Sequence, residues 1–201
     1  MKLIIRSALL AILGLAAAAP AARADGWVTP FAGINFGGDA GGNFGGAVDD
    51  PDKLTWGFAA GGMLGGVFGA ELDFAYSNNF FGNDEAFTKN NVLTILPTLI
   101  IGIPIGGQTG GGVRPYLTAG VGLLKRGLEF DEIEIFDEND AVYSLGGGVM
   151  GYFNDNFGIR ADYRYIRGFT ADDLIDADLE FDFDETTFNF SRATIGAVFR
   201  F

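Results

Sequence analysis

The 201-residue chain contains no histidine and no cysteine. Without imidazole or thiol, the usual nucleophile–base pairs, imidazole zinc sites and disulfides are excluded. Acid–base chemistry is left to carboxylates alone, so the sequence supports no enzyme and calls for no cofactor or metal. Past the N-terminal region there is also no apolar run of the roughly 20 residues that a bilayer-crossing helix needs. The longest, Val92 to Ile105, carries Pro97 and Pro104, and helix interiors reject proline. Positive charge is scarce: 13 Lys and Arg stand against 26 Asp and Glu. That balance argues against nucleic acid or other polyanions as direct partners, which need basic patches.

What is present is apolar and glycine-rich: 48% hydrophobic residues, with 32 Gly and 20 Phe. The start has Lys2 and Arg6, an apolar run from Ala8 to Ala19, Pro20, and a small-x-small site at Ala22-Arg23-Ala24. This three-part layout is that of a secretory signal peptide. Residues 1–24 are therefore expected to be a leader and residues 25–201 a single domain. The leader holds three basic residues and no acid, so the remainder carries 10 − 26 = −16 formal charges. No linker divides it. The glycine-rich stretch 106–112 suits a turn and is no phosphate loop, since no Lys-Ser/Thr follows.

Period-two alternation recurs along residues 25–201. Phe68, Ala70, Leu72, Phe74 and Tyr76 share one face while Glu71 and Asp73 lie on the other. Phe157, Ile159, Ala161, Tyr163 and Tyr165 alternate in the same way with Arg160, Asp162 and Arg164. Further strands are expected at 27–37, 54–64, 91–105, 113–125, 141–153 and 188–201, eight in all. With helices excluded, lipid-compatible strands can cross a membrane only as a closed barrel, because an open edge leaves backbone groups unsatisfied. The fold class is thus all-β, a transmembrane up-and-down antiparallel barrel with its apolar face outward. The interior of an eight-stranded barrel is just filled by side chains. Glu71, Asp73, Arg160, Asp162, Arg164 and Arg192, with threonines 94, 98 and 118, are expected to form a plugged, charge-paired lumen.

Connections alternate in length, as in bacterial barrels. Short turns are expected near 65–66, 106–112 and 154–156, and long loops near 38–53, 78–90, 126–140 and 168–187. Trp56, Tyr76, Phe80, Phe81, Tyr165 and Phe169 bunch toward the loops; Phe68, Phe153, Phe157, Phe199 and Phe201 bunch toward the turns. Two such bands read as interfacial girdles. The third and fourth loops are strongly acidic and themselves alternate, which suggests strands running on beyond the membrane. Carboxylates of this density suit a hard cation such as calcium. No EF-hand spacing accompanies them, however, and charge runs are usually solvated faces.

The segments Val113-Arg-Pro-Tyr-Leu-Thr-Ala-Gly-Val-Gly122, Tyr143-Ser-Leu-Gly-Gly-Gly-Val149, Asn154 to Tyr165 and Ala193 to Phe201 resemble the small outer-membrane β-barrels of OmpA, OmpX and OmpW type. The resemblance spans nearly all of 25–201 and stops at the barrel, without the peptidoglycan-binding domain of full OmpA proteins. It implies a location in the outer membrane of a Gram-negative bacterium, both termini periplasmic, with outer-membrane lipid and lipopolysaccharide as surroundings. It also implies that Ile195, Ala197, Phe199 and Phe201 form the terminal signal read by the barrel-assembly machinery. The function implied is a non-enzymatic surface barrel contributing to envelope integrity. A narrow channel for small or hydrophobic solutes and an adhesin are the alternatives, and no extracellular ligand is indicated.

Overall fold

The computed structural model describes residues 24–38, 54–77, 89–106, 110–130, 133–168 and 188–201. They form eight strands: β1 (Ala24–Phe36), β2 (Leu54–Leu64), β3 (Phe68–Ser77), β4 (Lys89–Gly102), β5 (Gly112–Phe130), β6 (Ile133–Tyr152), β7 (Phe157–Gly168) and β8 (Asn189–Arg200). Each pairs antiparallel with its chain neighbours, and β8 pairs with β1 to close the barrel. At the seam Phe201 and Gly26 exchange backbone hydrogen bonds, 2.9 and 3.2 Å long. Of the expected leader only Ala24 is among the described residues, opening β1 opposite Leu64. The other leader residues lie outside them, as do residues 39–53, 78–88 and 169–187 with Phe80, Phe81 and Phe169.

Alternation sets the inside and the outside. On β3 Glu71, Asp73, Ala75 and Ser77 are buried while Phe68 and Ala70 are exposed; on β7 Arg160, Asp162, Arg164 and Ile166 are buried while Ile159 and Tyr163 are exposed. The polar face therefore points inward and the apolar face outward, the inverse of a soluble sheet. Leu99, Leu117, Leu145 and Ile195 stand at least half exposed on the outer wall.

The turns follow from local chemistry. Gly65 and Gly66 both hold positive φ, 60° and 72°, the left-handed pair that a tight hairpin asks of glycine. At the β6–β7 turn, Asn154 Oδ1 accepts from the backbone of Asn156 and Phe157 at 2.9 and 2.8 Å, an Asx turn. Two prolines interrupt the ladders they occupy, since proline has no N–H to donate. The β1–β8 pairing steps from Val28–Phe199 to Phe31–Gly196 across Pro30. The β4–β5 pairing steps from Ile95–Leu123 to Thr98–Gly120 across Pro97.

Two boundaries differ from the sequence reading. Residues 126–140, expected as a loop, are largely paired strand: β5 and β6 remain in register out to Phe130 and Ile133, with one irregularity at Leu128/Glu129. Strands of 19 and 20 residues exceed the 9–11 that cross a bilayer, so this hairpin runs on past the lipid, as its alternation suggests. At its other end β4 stops at Gly102 rather than Ile105, ahead of Pro104, and Ile105 makes only an isolated bridge to Val113.

Candidate functional site

The bore is filled in layers. At the loop end Val92, Leu96, Leu124, Val142, Ile166 and Phe190 form one apolar cluster. At the turn end Trp27, Met63, Ile100, Tyr116, Met150, Tyr152 and Val198 form another. Between them, partly seated on the second, lies the charged layer.

Glu71 and Asp73 come from β3, Arg160, Asp162 and Arg164 from β7, and Arg192 from β8. In a ring of eight, β3 and β7 stand opposite each other, so the pairs of Glu71 with Arg160 and Arg164 cross the full bore. Glu71 accepts from Trp27 Nε1 at 3.3 Å, from Nη1 and Nη2 of Arg160, the latter at 3.1 Å, and from Arg164 Nη2 at 2.5 Å. Four donors use the full acceptor capacity of one carboxylate. Asp162, between the two arginines on β7, accepts from Arg160 Nη2 at 2.8 Å and Arg164 Nε at 2.7 Å. Asp73 accepts from Arg192 Nη2 at 2.6 Å and lies 3.8 Å from Arg164 Nη1. Three carboxylates thus face three guanidinium groups in mutual contact. All six side chains are buried, Arg164 completely.

The six sequence-predicted lumen residues therefore lie in one network. Tyr116, on β5, was not among them. Its hydroxyl donates to Asp162 at 2.6 Å and accepts from Arg160 Nε at 2.5 Å, while the Arg160 guanidinium sits 4.8 Å from the ring centre. Of the threonines, Thr94 accepts from Arg192 Nη1 at 3.2 Å; Thr98 and Thr118 are buried on the same inner face.

A second ionic layer closes the turn end, and the sequence reading missed it. Arg114 on β5 reaches across to Asp25 on β1 at 2.6 Å, again between opposite strands. Arg200 lies 3.6 Å from both Asp25 and Asp155 and donates to the Asp155 carbonyl at 2.5 Å. The ring of Tyr152 has Arg200 at 4.2 Å and Arg114 at 5.3 Å from its centre. The signal was present in principle: Arg114 and Tyr116 alternate with Val113, Pro115 and Leu117, and Arg200 sits between Phe199 and Phe201.

Glycine makes room for these large groups. A Cβ at Gly146 would meet the Tyr163 carbonyl and lie 2.9 Å from Arg164 Cγ, and one at Gly148 would meet the Ala161 carbonyl and lie 2.8 Å from Tyr116 Cζ. Each long side chain leans over the bare backbone of its neighbouring strand.

Ile195, Phe199 and Phe201 are exposed on the outer wall, with Ala197 half-buried on the same face. Near the turn end Phe157 stacks on Phe153 at 5.8 Å and meets Phe199 at a tilt at 5.7 Å, and Trp56 packs edge-on against Tyr76 at 5.6 Å near the loop end. No helix among the described residues is long and apolar enough to cross a membrane, and no cluster there gathers three metal-ligating side chains.

Solved structures with this architecture are outer-membrane barrels. Neisserial surface protein A is 16% identical, with a TM-score of 0.57 over 88% of this chain and 95% of its own. OprH from P. aeruginosa is 19% identical, with a TM-score of 0.52 over 88% and 99%. Ail, the attachment invasion locus protein of Yersinia pestis, is 16% identical, with a TM-score of 0.51 over 89% and 98%. At these identities the likeness is one of fold. No curated protein matches the chain by sequence. The family model of the outer membrane protein beta-barrel domain matches residues 7–201, and the chain belongs to that family.

Proposed function

We propose that this outer-membrane barrel is a non-enzymatic surface protein, closed to ions, that contributes to envelope integrity and presents acidic loops outside the cell. The observation that carries this reading is the double cross-bracing of the bore: Glu71 to Arg160 and Arg164, and Asp25 to Arg114, each join opposite strands. An eight-stranded barrel has little free bore to begin with, and apolar clusters cap the central charges on both sides. The test is conductance of the purified protein in planar bilayers. Silence is expected from the wild type; discrete steps would favour the narrow channel instead.

The proposed orientation puts both termini in the periplasm. β1 begins and β8 ends at the turn end, beside Asp155. Five of the ten basic residues after position 24 are lumenal or seal the turn end. Of the other five, Lys89 opens β4, Arg167 is the last residue but one of β7, and Lys125 and Arg126 lie in the part of β5 that extends toward the loops, while Lys53 is outside the described residues. The apolar outer face of β8, with Ile195, Ala197, Phe199 and Phe201, fits recognition by the barrel-assembly machinery. Because the chain has no cysteine, a single one introduced at Thr186 and labelled on intact cells with an impermeant maleimide reports which side the loops face.

A further inference from the structure

The hairpin that faces the seam across the bore holds both ends of the chain. In a ring of eight, β1 and β8 stand opposite β5 and β4, and the connection of those two lies at the turn end. From β5, Arg114 reaches Asp25 on β1 at 2.6 Å. From the connection, Gly110 reaches β8. Its carbonyl accepts from Arg200 Nη2 at 3.3 Å, and its amide donates at 2.5 Å to Asp155 Oδ1, itself 3.6 Å from Arg200 Nη2. Glycine lets the connection lean this far, since a Cβ at Gly111 would press toward the carbonyls of Tyr152 and Phe153 at 3.3 and 3.5 Å.

Arg200 is held by side chain and backbone alike. Nε donates to the Asp155 carbonyl at 2.5 Å and Nη2 to the Asn154 carbonyl at 3.4 Å. The Arg200 amide donates to the Asn156 carbonyl at 2.8 Å, and Asn156 Nδ2 donates to the Arg200 carbonyl at 3.1 Å. Asp25 lies 3.6 Å from Arg200 Nε, so the two anchors meet.

Chain ends are where native structures open first. Here the two ends share one ladder, β1 with β8, the pair that no turn connects, and Phe201 and Gly26 supply its last bonds. Opening it in lipid leaves backbone groups without partners. The chain neighbours of those two residues, Asp25 and Arg200, are the ones that reach the far hairpin. Fraying of β1 must break Asp25 from Arg114, and fraying of β8 must lift Arg200 off Gly110. Both are charge-assisted bonds, made by arginines that are buried.

We infer that Arg114 and Gly110 of the β4–β5 hairpin, with Asp155 as a bridge, form a lock that pins both ends of the seam from across the barrel. Either anchor alone leaves one strand free to peel, so this end of the seam stays closed only while both hold.

Amide hydrogen exchange at Phe201 and Gly26 tests it, in the full barrel refolded in detergent micelles, for wild type, Asp155→Ala and Arg114→Gln. Neither substitution removes a bond of the β1–β8 ladder. Faster exchange at Phe201 and Gly26 is expected in both variants. For Asp155, whose side chain is 67% exposed, the rise is up to about five-fold, the equivalent of a surface pair's 1 kcal/mol; for buried Arg114 it is larger. The Gly168 amide, which donates to the Phe188 carbonyl at the loop end, is expected to keep its wild-type rate. Unchanged exchange at Phe201 in either variant would overturn the inference. So would equal acceleration at Gly168, since a general loosening needs no lock. Should Arg114→Gln fail to fold, Asp25→Asn breaks the same pair from the seam side and is read at Phe201 by the same criteria. The result does not depend on whether the barrel conducts.

Discussion

Arg164 of β7 and Glu71 of β3 meet at 2.5 Å across the whole width of the barrel, both side chains excluded from solvent. The pair does not stand alone. Glu71 also holds Arg160, and Arg164 also holds Asp162. Removing one member of such a set strands its partners, which is far costlier than losing a surface pair worth about 0 to 1 kcal/mol. Arg164→Ala is therefore expected to destabilise the barrel by about 3 to 5 kcal/mol. Unfolding in urea, followed by the heat-modifiable gel shift of the folded form, measures it. A loss under 1 kcal/mol would mean that the remaining charges are hydrated.

Asp73 and Arg192 offer a cleaner coupling measurement, because Arg192 Nη2 and Asp73 Oδ1 at 2.6 Å form the one close ion pair that Arg192 makes among the described residues. In a double-mutant cycle with Asp73→Asn and Arg192→Gln, the coupling is expected between about 0.5 and 3 kcal/mol, the range for contacting residues. Additive losses would show that the two side chains act separately.

How much of this was readable beforehand divides along physical lines. Strands β2 and β3 begin and end where alternation and the Gly65-Gly66 pair put them, because two-residue periodicity and left-handed glycine are local properties. The same alternation puts Glu71, Asp73, Arg160, Asp162, Arg164 and Arg192 on one kind of face. Which of them touch depends on strand stagger, a property of the closed ring. Hence Asp25, far from Arg114 in sequence and isolated among apolar neighbours, gave no hint of meeting it. Residues 126–140 carried two signals, acidity that marks a connection and an alternation that suggests strands running on beyond the membrane, and the pairing of β5 with β6 follows the second. Acidity alone does not forbid a strand, because strand pairing is a matter of the backbone.

Packing against glycine makes its own prediction. A methyl group added at Gly148 would press first on the backbone carbonyl of Ala161 and then on the hydroxyl and ring of Tyr116, and Tyr116 holds both Arg160 and Asp162. Overpacking of this kind costs about 1 to 3 kcal/mol. Gly148→Ala is expected to lose that much by urea unfolding. In Tyr116→Phe, where the hydroxyl is gone but the Ala161 carbonyl remains, the same substitution should be spared only the side-chain share of that cost. Equal cost in both backgrounds would show that the strain lies in the strand backbone instead.

The outer wall answers to lipid. Leu117, 70% exposed, points away from the bore between Tyr116 and Thr118, which point into it. An arginine near the bilayer midplane of a barrel costs roughly 2 to 4 kcal/mol, falling toward zero near an interface. Leu117→Arg is therefore expected to destabilise far more than Leu54→Arg at the loop end of β2. The comparison is made by urea refolding into liposomes, and equal losses at the two depths would contradict a lipid-facing wall.

The last prediction concerns the end of the chain. Phe201 is exposed and at the same time closes the seam through its backbone bonds to Gly26. Its two roles can be separated. Phe201→Ala keeps both backbone bonds and removes only the outward ring, whereas deleting the residue removes both. If the ring is the assembly signal, the alanine variant loses folded protein from outer-membrane fractions nearly as severely as the deletion, while the same variant refolds normally from urea into liposomes, where no machinery takes part. If instead the seam bonds are what matters, the alanine variant assembles like wild type in cells and only the deletion fails, in cells and liposomes alike. Folded barrel is quantified in both settings by the heat-modifiable gel shift, and wild-type levels of the alanine variant in cells would remove Phe201 from the assembly signal.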